Sequence, residues 1–169
     1  SFNIIKSFTI NIISSEVTLA TNAGTGVTTA TFDGTSVANG TLTNGTNKLQ
    51  GATVAIIKNY TTISGEAFQD ASGLTSVTIP ASVTSIGVEA FKSATNLTTV
   101  SFEDITNSNL EKIDYGAFWG ANALTSITIP KSVTEIYERA FYQTTKLTTV
   151  TFDDISNSQL THIYGATGN

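Results

Sequence analysis

ISGEAFQDASGLTSVTIPASVTSIGVEAF, residues 63 to 91, decides the fold, because a closely similar segment, IDYGAFWGANALTSITIPKSVTEIYERAF, recurs at residues 113 to 141. The two passages share nearly every apolar position. Self-similarity at a fixed period is the sequence signature of repeat architectures, in which each repeat buries its apolar face only against its neighbours. The sequence therefore predicts a solenoid.

Three columns of apolar residues set the period. The isoleucines of one column are spaced by alternating short and long steps, and a phenylalanine and a leucine column keep the same steps. The longer unit carries four extra residues within SFEDITNSNL (101 to 110) and TFDDISNSQL (151 to 160), so the true repeat is a pair of units. The columns are Ile63, Ile86, Ile113, Ile136 and Ile163; Phe68, Phe91, Phe118 and Phe141; and Leu74, Leu97, Leu124 and Leu147.

Each unit predicts a mainly β coil. Alternating apolar residues, as in Leu74 to Ile79, are typical of a short strand with one buried face. Pro80 and Pro130 end that strand, because proline cannot donate to a continuing ladder. A second short extended piece ends at the isoleucine, and the small or polar residues before each Ala-Phe predict a single helical turn that places one ring in the core.

LTSVTIPASVTSIGVEAF, residues 74 to 91, resembles the consensus of the BspA-like leucine-rich repeats, a family of bacterial and protist surface proteins. In that consensus L-x-x-V-x-I-P is followed by V-x-x-I-G-x-x-A-F. The resemblance covers residues 49 to 163, and the chain departs from it in its four-residue inserts and in Ala, Gly or Thr where many members carry cysteine. It implies a leucine-rich-repeat solenoid with a role in cell-surface adhesion.

Residues 1 to 48 follow a different pattern, in which strand-forming segments alternate with glycine turns such as Asn39-Gly40 and Asn44-Gly45. KLQGATVAIIKNYTTI (48 to 63) is a degenerate first coil, because Val54 and Ile56 precede Val77 and Ile79 by the short step of the repeat. We expect residues 1 to 48 to form a β cap over that coil, or a small separate β domain, and residues 49 to 169 to form the solenoid.

Composition favours an extracellular chain without nucleic-acid or membrane partners. The 169 residues include no cysteine and no methionine, and the formal net charge is −5. Nucleic acids and anionic membranes attract clustered Lys and Arg, and no apolar run is long enough to span a membrane. Because the chain begins at Ser1 rather than at methionine, we expect it to be processed from a longer precursor.

The inventory of reactive residues argues against catalysis. His162 is the only histidine, and no serine lies in a nucleophile elbow. The acidic pairs Glu103-Asp104 and Asp153-Asp154 point to opposite sides in an extended segment, and EF-hand spacing is missing. We expect solvated acidic loops, no enzymatic activity, no cofactor and no metal.

A face of hydroxyl side chains is the first candidate surface. The outward positions of the first strand and its approach are all Ser or Thr, and rows stacked in register would lie about 4.8 Å apart. This face is predicted either to bind a ligand, glycan or ice, or simply to satisfy the preference of threonine for exposed strand positions. Its members are Thr75, Ser76, Thr78, Thr98, Thr99, Ser101, Thr125, Ser126, Thr128, Thr148, Thr149 and Thr151.

Aromatic residues in adjacent coils form the second candidate surface. Trp119 and Tyr142 follow successive core phenylalanines, and Tyr137 and Tyr164 follow successive core isoleucines. Such ladders favour protein or glycan contacts when exposed, and otherwise pack against loops of their own coil. Their bias toward the C-terminal coils indicates a contact region near the end of the chain.

The two ends of the repeat region form the third candidate surface. Ile163 begins a further coil, but Gly168 stands where a phenylalanine is expected, so no C-terminal cap is visible. SFNIIKSFTINII (1 to 13) is an apolar strand, carrying Phe2, Ile4, Phe8, Ile10 and Ile12, that either lies on its own cap or adds to the open end of another subunit. The second contact joins unlike surfaces and generates a filament. The sequence thus predicts a surface adhesion or structural protein whose partner is a second copy or another cell-surface protein.

Overall fold

The computed structural model describes residues 8–14, 16–36 and 41–165. A hairpin of β1 (Phe8–Ser14) and β2 (Val17–Asn22) comes first, and six coils follow it. The first strands of these coils are β3 (Thr28–Asp33), β5 (Val54–Lys58), β7 (Ser76–Ile79), β9 (Thr99–Phe102), β11 (Ser126–Ile129) and β13 (Thr149–Phe152). The second strands are β4 (Thr41–Leu42), β6 (Thr62–Ile63), β8 (Ser85–Ile86), β10 (Lys112–Ile113), β12 (Glu135–Ile136) and β14 (His162–Ile163).

The coils stack into a solenoid with three walls. In the first wall, β1 and β2 pair antiparallel, and the strands from β3 onward pair parallel. The second wall is one parallel sheet in the order β14-β12-β10-β8-β6-β4. The third wall consists of turns, apart from the short helix α1 (Gly45–Lys48) in the first coil. The mainly β solenoid that the sequence predicts is confirmed.

The turns of the third wall are joined by hydrogen bonds between coils. Alternate N–H groups donate to the coil that follows, as in Glu66 N to Val88 O (2.9 Å) and Phe68 N to Ala90 O (2.7 Å). Each turn also contains a residue in the left-handed region two positions before its phenylalanine, and in the fourth coil that residue is Gly116 (φ 61°). The third wall is therefore a ladder of turns, and its hydrogen bonds fix the spacing between neighbouring coils.

A phenylalanine stack runs through the core behind these turns. The rings of Phe68, Phe91, Phe118 and Phe141 lie nearly parallel, with centroids 5.1, 5.3 and 5.5 Å apart. Phe32 meets the end of the stack edge-on at 5.4 Å. The isoleucine column is buried alongside it as far as Ile136. Both columns follow from their spacing in the sequence, and both line the core.

The register of β5 differs from the prediction by one residue. Val54 pairs with Ser76 and Ala55 with Val77, so the step between these first strands is shorter by one position than the sequence predicts. Because side chains alternate between the faces of a strand, a one-residue shift exchanges the buried set for the outward set. Ala55 and Ile57 therefore fill the core, and the alignment of Val54 and Ile56 with Val77 and Ile79 was wrong.

Two prolines remove hydrogen-bond donors from the first wall. At the end of β9 and of β13 the next N–H donates to the preceding coil, from Glu103 to Ile79 O and from Asp153 to Ile129 O, both at 2.9 Å. The equivalent residues after β7 and β11 are Pro80 and Pro130, which have no N–H to donate. Pairing of β5 with β7 stops after three residue pairs, and the described strands β9 and β11 lie in separate sheets. Strand pairing along the first wall is therefore shortened between β5 and β7 and interrupted between β9 and β11.

The N-terminal strands extend the first wall beyond the first coil. Val17 and Leu19 of β2, with Ala30 and Phe32 of β3, belong to the buried core. That residues 1 to 48 act as a cap, and that the solenoid begins at residue 49, both stay predictions. β4 already pairs with β6 in the second wall. No helix among the described residues is long and apolar enough to cross a membrane.

Candidate interaction surfaces

The last coil exposes residues that are buried in every coil before it. Ile163 is 65% exposed, whereas Ile113 in the same column is 0% exposed. Val150 is 44% exposed, whereas Val77 is 0% exposed. Among the described residues, the C-terminal cross-section of the solenoid therefore exposes apolar side chains.

At the other end of the first wall, β1 is the terminal strand of the described sheet. Its partners run from Phe8 opposite Asn22 to Ser14 opposite Val17, with an irregularity between Ile12 and Ser14. Two antiparallel steps separate β1 from β3, so β1 runs parallel to the first strands of all six coils. Phe2 and Ile4 lie outside the described residues, and of Phe8, Ile10 and Ile12 the structure describes the backbone.

The hydroxyl face follows the first wall, but its side chains largely bond to one another and to the neighbouring coil. Thr75 Oγ1 donates to Thr53 O (2.9 Å), and Thr98 Oγ1 donates in turn to Thr75 O (3.0 Å). Thr78 Oγ1 lies 3.1 Å from Ser101 Oγ. The break between β9 and β11 splits the face into two patches, and in the second Thr128 and Thr151 pair at 3.0 Å. The remaining members of the face, Ser76, Thr99, Thr125, Ser126, Thr148 and Thr149, lie at or just before the first strands in the same two patches. Binding of a glycan or ice by this face stays a prediction.

A cluster of cations and aromatic rings lies on the third wall of the third to fifth coils. The Trp119 and Tyr142 rings meet edge-on, with centroids 5.4 Å apart. Lys92 Nζ lies 4.7 Å above the centroid of the Trp119 ring. The Arg139 guanidinium lies 5.6 Å from the Tyr142 ring, 5.7 Å from Trp119 and 5.9 Å from Tyr115. We call these five residues the cation–aromatic cluster. The sequence predicts the contact of Trp119 with Tyr142 and misses Lys92, Tyr115 and Arg139 as contributors.

Tyr137 and Tyr164 form a second aromatic pair, stacked at 4.7 Å beside the second wall. Glu135 holds them, because Tyr137 Oη donates to Oε2 (2.9 Å) and Tyr164 Oη donates to Oε1 (3.3 Å). These bonds and the Lys112 ammonium at 3.2 Å keep the pKa of Glu135 below its ordinary value. His162 stacks on Tyr164 at 5.5 Å. This network ties the exposed last coil to the coil below it.

The acidic inserts are held by turns of their own. Asp154 accepts hydrogen bonds from Asn157 Nδ2 (2.8 Å) and Ser156 Oγ (2.7 Å), which lower the pKa of its carboxyl to about 2. Asp104 accepts from Asn107 Nδ2 (2.9 Å) in the first insert. Within the described residues no three His, Cys, Asp or Glu side chains gather as ligands for a metal. The adjacent Glu103 and Asp153 carry the bonds to the preceding coil described above.

The repeat family follows from a match over most of the chain. A family model described as the BspA type leucine-rich repeat region matches residues 38–164 in six copies, the number of coils in the structure. The chain belongs to the BspA-type leucine-rich repeat family. The resemblance drawn from residues 74 to 91 is thereby confirmed. Proteins of this family are cell-surface proteins with interaction and adhesion roles, and they are typically not enzymes.

Solved structures give the same result. The BspA-type chain is similar to a leucine-rich repeat protein from Bacteroides capillosus, with 27% identity and a TM-score of 0.59 over 85% of this chain and 98% of that one. It is similar to the pneumococcal vaccine antigen PcpA, with 25% identity and a TM-score of 0.57 over 94% of this chain and 40% of that one. A leucine-rich repeat protein from Eubacterium ventriosum shares the fold, at 21% identity and a TM-score of 0.52 over 89% and 45%. The chain spans less than half of the last two proteins. No curated protein matches it.

Proposed function

We propose that this BspA-type chain is an extracellular, non-enzymatic interaction protein that joins end to end with further copies of itself. The observation that carries the proposal is the exposed last coil, where Ile163 and Val150 are open although the same columns are buried elsewhere. Apolar surface of this kind gains free energy when a partner removes it from water. An extracellular place agrees with the family, and with PcpA being a vaccine antigen.

The geometry of the first wall supports a second copy as the partner. β13 and β1 are terminal strands of their sheets, and both run in the same direction along that wall. A copy placed on the C-terminal coil by continued stacking would therefore offer β1 parallel to β13, as between the coils themselves. The contact joins two different ends, so each addition leaves a new open end and the product is a filament.

Light scattering on the intact chain and on matched variants tests the proposal. Ile163→Glu places a charge on the open coil at a site that is already exposed, so the fold should survive. Val88→Glu is the control, because Val88 is likewise an exposed apolar residue, at 44%, but lies on the third wall of the third coil. We expect Ile163→Glu and deletion of residues 1 to 13 to reduce the mass to that of a monomer, and Val88→Glu to leave assembly intact. A monomeric intact chain at high concentration, or equal behaviour of the two glutamate variants, would sink the proposal.

A further inference from the structure

We propose that the cation–aromatic cluster binds an acidic polypeptide segment, with the Arg139 guanidinium taking one of its carboxylates. This surface lies on the third wall, away from the pairing edges of β1 and β13, and its partner is a different one from the second copy proposed above. The two proposals therefore stand or fall separately.

The cluster is built by columns of the repeat. Lys92, Trp119 and Tyr142 each follow the core phenylalanine of their coil, so they occupy one column on three successive coils. Arg139 enters from a second column, two positions before its phenylalanine, where the backbone is left-handed. Because the turns are bonded coil to coil, these side chains are held on one rigid face. Trp, Tyr and Arg are the residue types most enriched where binding energy concentrates in protein interfaces.

Arg139 has no carboxylate partner in the described part of the chain. The ion pairs there join Lys48 to Glu16, Lys92 to Glu89 and Lys112 to Glu135. Arg139 instead donates one N–H to Tyr115 Oη at 3.0 Å. A guanidinium carries five N–H donors in a planar fork that matches a carboxylate. Most of this fork is open to a ligand, on a side chain that three rings already hold in place.

The rings favour a carboxylate over a sugar as the ligand. Sugars bind aromatic residues by lying on a free ring face, but Lys92 lies over the Trp119 ring and the Arg139 guanidinium lies 5.7 Å from its centroid. Tyr142 stands edge-on beside the same ring, at an interplanar angle of 73°. The indole N–H is already bonded to Gln143 Oε1 at 3.0 Å. Because Glu89 already pairs with Lys92 at 2.9 Å, what the surface offers an acidic side chain is the Arg139 guanidinium, which the rings support.

We infer that the partner is a polypeptide, because a polypeptide can supply apolar side chains to cover the rings as well as a carboxylate for Arg139. Tyr142 and the edges of Trp119 offer such contacts next to the Arg139 fork, and side chains near a Glu or Asp would cover them. A carboxylate bonded to the fork and shielded by the rings is a charge-assisted contact, whose loss should lower the affinity by roughly 10- to 100-fold.

Fluorescence titration can follow binding directly, because Trp119 is the only tryptophan of the chain. The probes are poly-L-glutamate, poly-L-glutamine and the acidic polysaccharide polygalacturonate. We expect poly-L-glutamate to change the Trp119 emission at low salt and poly-L-glutamine to leave it unchanged. Arg139→Gln should weaken poly-L-glutamate binding by roughly 10- to 100-fold. Glutamine suits this backbone, since Gln143 adopts the same left-handed conformation (φ 56°).

Lys58→Gln is the matched control, because it removes the same charge from an exposed site on β5. It should bind poly-L-glutamate like the intact chain, and Arg139→Lys should recover part of the lost affinity. An equal loss in Lys58→Gln and Arg139→Gln would show attraction by net charge alone and would overturn the proposal. Absence of poly-L-glutamate binding, or tighter binding of polygalacturonate that Arg139→Gln abolishes, would overturn it as well.

Discussion

Replacement of single rings in the phenylalanine stack should reveal how well each coil is covered. Phe118 is fully buried and lies between Phe91 at 5.3 Å and Phe141 at 5.5 Å. Phe118→Ala removes a buried ring with neighbours on both sides and leaves a cavity, which costs about 3–5 kcal/mol of folding free energy. Phe141 is only partly buried and stacks on one neighbour, Phe118. Phe141→Ala should therefore cost roughly half as much, about 2 kcal/mol.

Thermal and urea unfolding, followed by circular dichroism at low protein concentration, measure the two costs. In a domain of this size, about 4 kcal/mol lowers Tm by about 8–16 °C, and about 2 kcal/mol lowers it by about 4–8 °C. If Phe141→Ala is as destabilising as Phe118→Ala, the last coil is covered as well as the inner ones, and the reasoning from its exposure is refuted. If the cost of Phe141→Ala grows with protein concentration, the covering comes from another copy.

Three further predictions concern the backbone and one carboxylate. Glu103→Pro removes the N–H that bonds β9 to the coil before it, so hydrogen exchange in β7 and β9 should become faster, whereas Glu103→Ala should leave it unchanged. Gly87→Ala should destabilise by about 1–3 kcal/mol. Its Cβ would lie 2.6 Å from a backbone nitrogen of the preceding coil, whereas Gly73→Ala meets nothing within 4 Å and should be neutral or stabilising in urea. Bonds from Asn59 and Thr35 lower the pKa of Asp33 from 3.8 to about 2, so they add stability above pH 4 that is lost as pH falls toward 2. Asn59→Ala should raise that pKa in an NMR titration and weaken this acid dependence; an unshifted titration would contradict it.

The sequence predicts the scaffold well because its columns are chemically distinct. An isoleucine and an Ala-Phe recur at fixed steps, and each column can be buried only by stacking on itself. The same rule fails at β5, where TVAIIK offers two apolar faces, Val54 with Ile56 and Ala55 with Ile57. Only the pairing with β7 decides between these two faces. The spacing between paired residues of β5 and β7 is one residue shorter than predicted, and the residue types of the two strands do not indicate this.

The candidate sites could be predicted only where they follow a single column. Trp119 and Tyr142 occupy equivalent positions, so their contact could be predicted. Arg139 comes from another column and reaches three rings because the left-handed turns bring its side chain across. Its signal was the substitution of a cation in a column that holds Glu66 and Glu89 in earlier coils. Long side chains cross columns in ways that spacing alone does not specify.

The prolines after β7 and β11 also determine how the protein would respond to mechanical load. Across the junction between the fourth and fifth coils, the second wall and the ladder of turns are hydrogen-bonded, whereas β9 and β11 are not. Tension along the axis would therefore stretch one side of the solenoid more easily than the other two. The chain would bend at this junction before any coil unfolds, with the bonded walls acting as the hinge. The chain can therefore give way to shear at this one junction while its core stays folded.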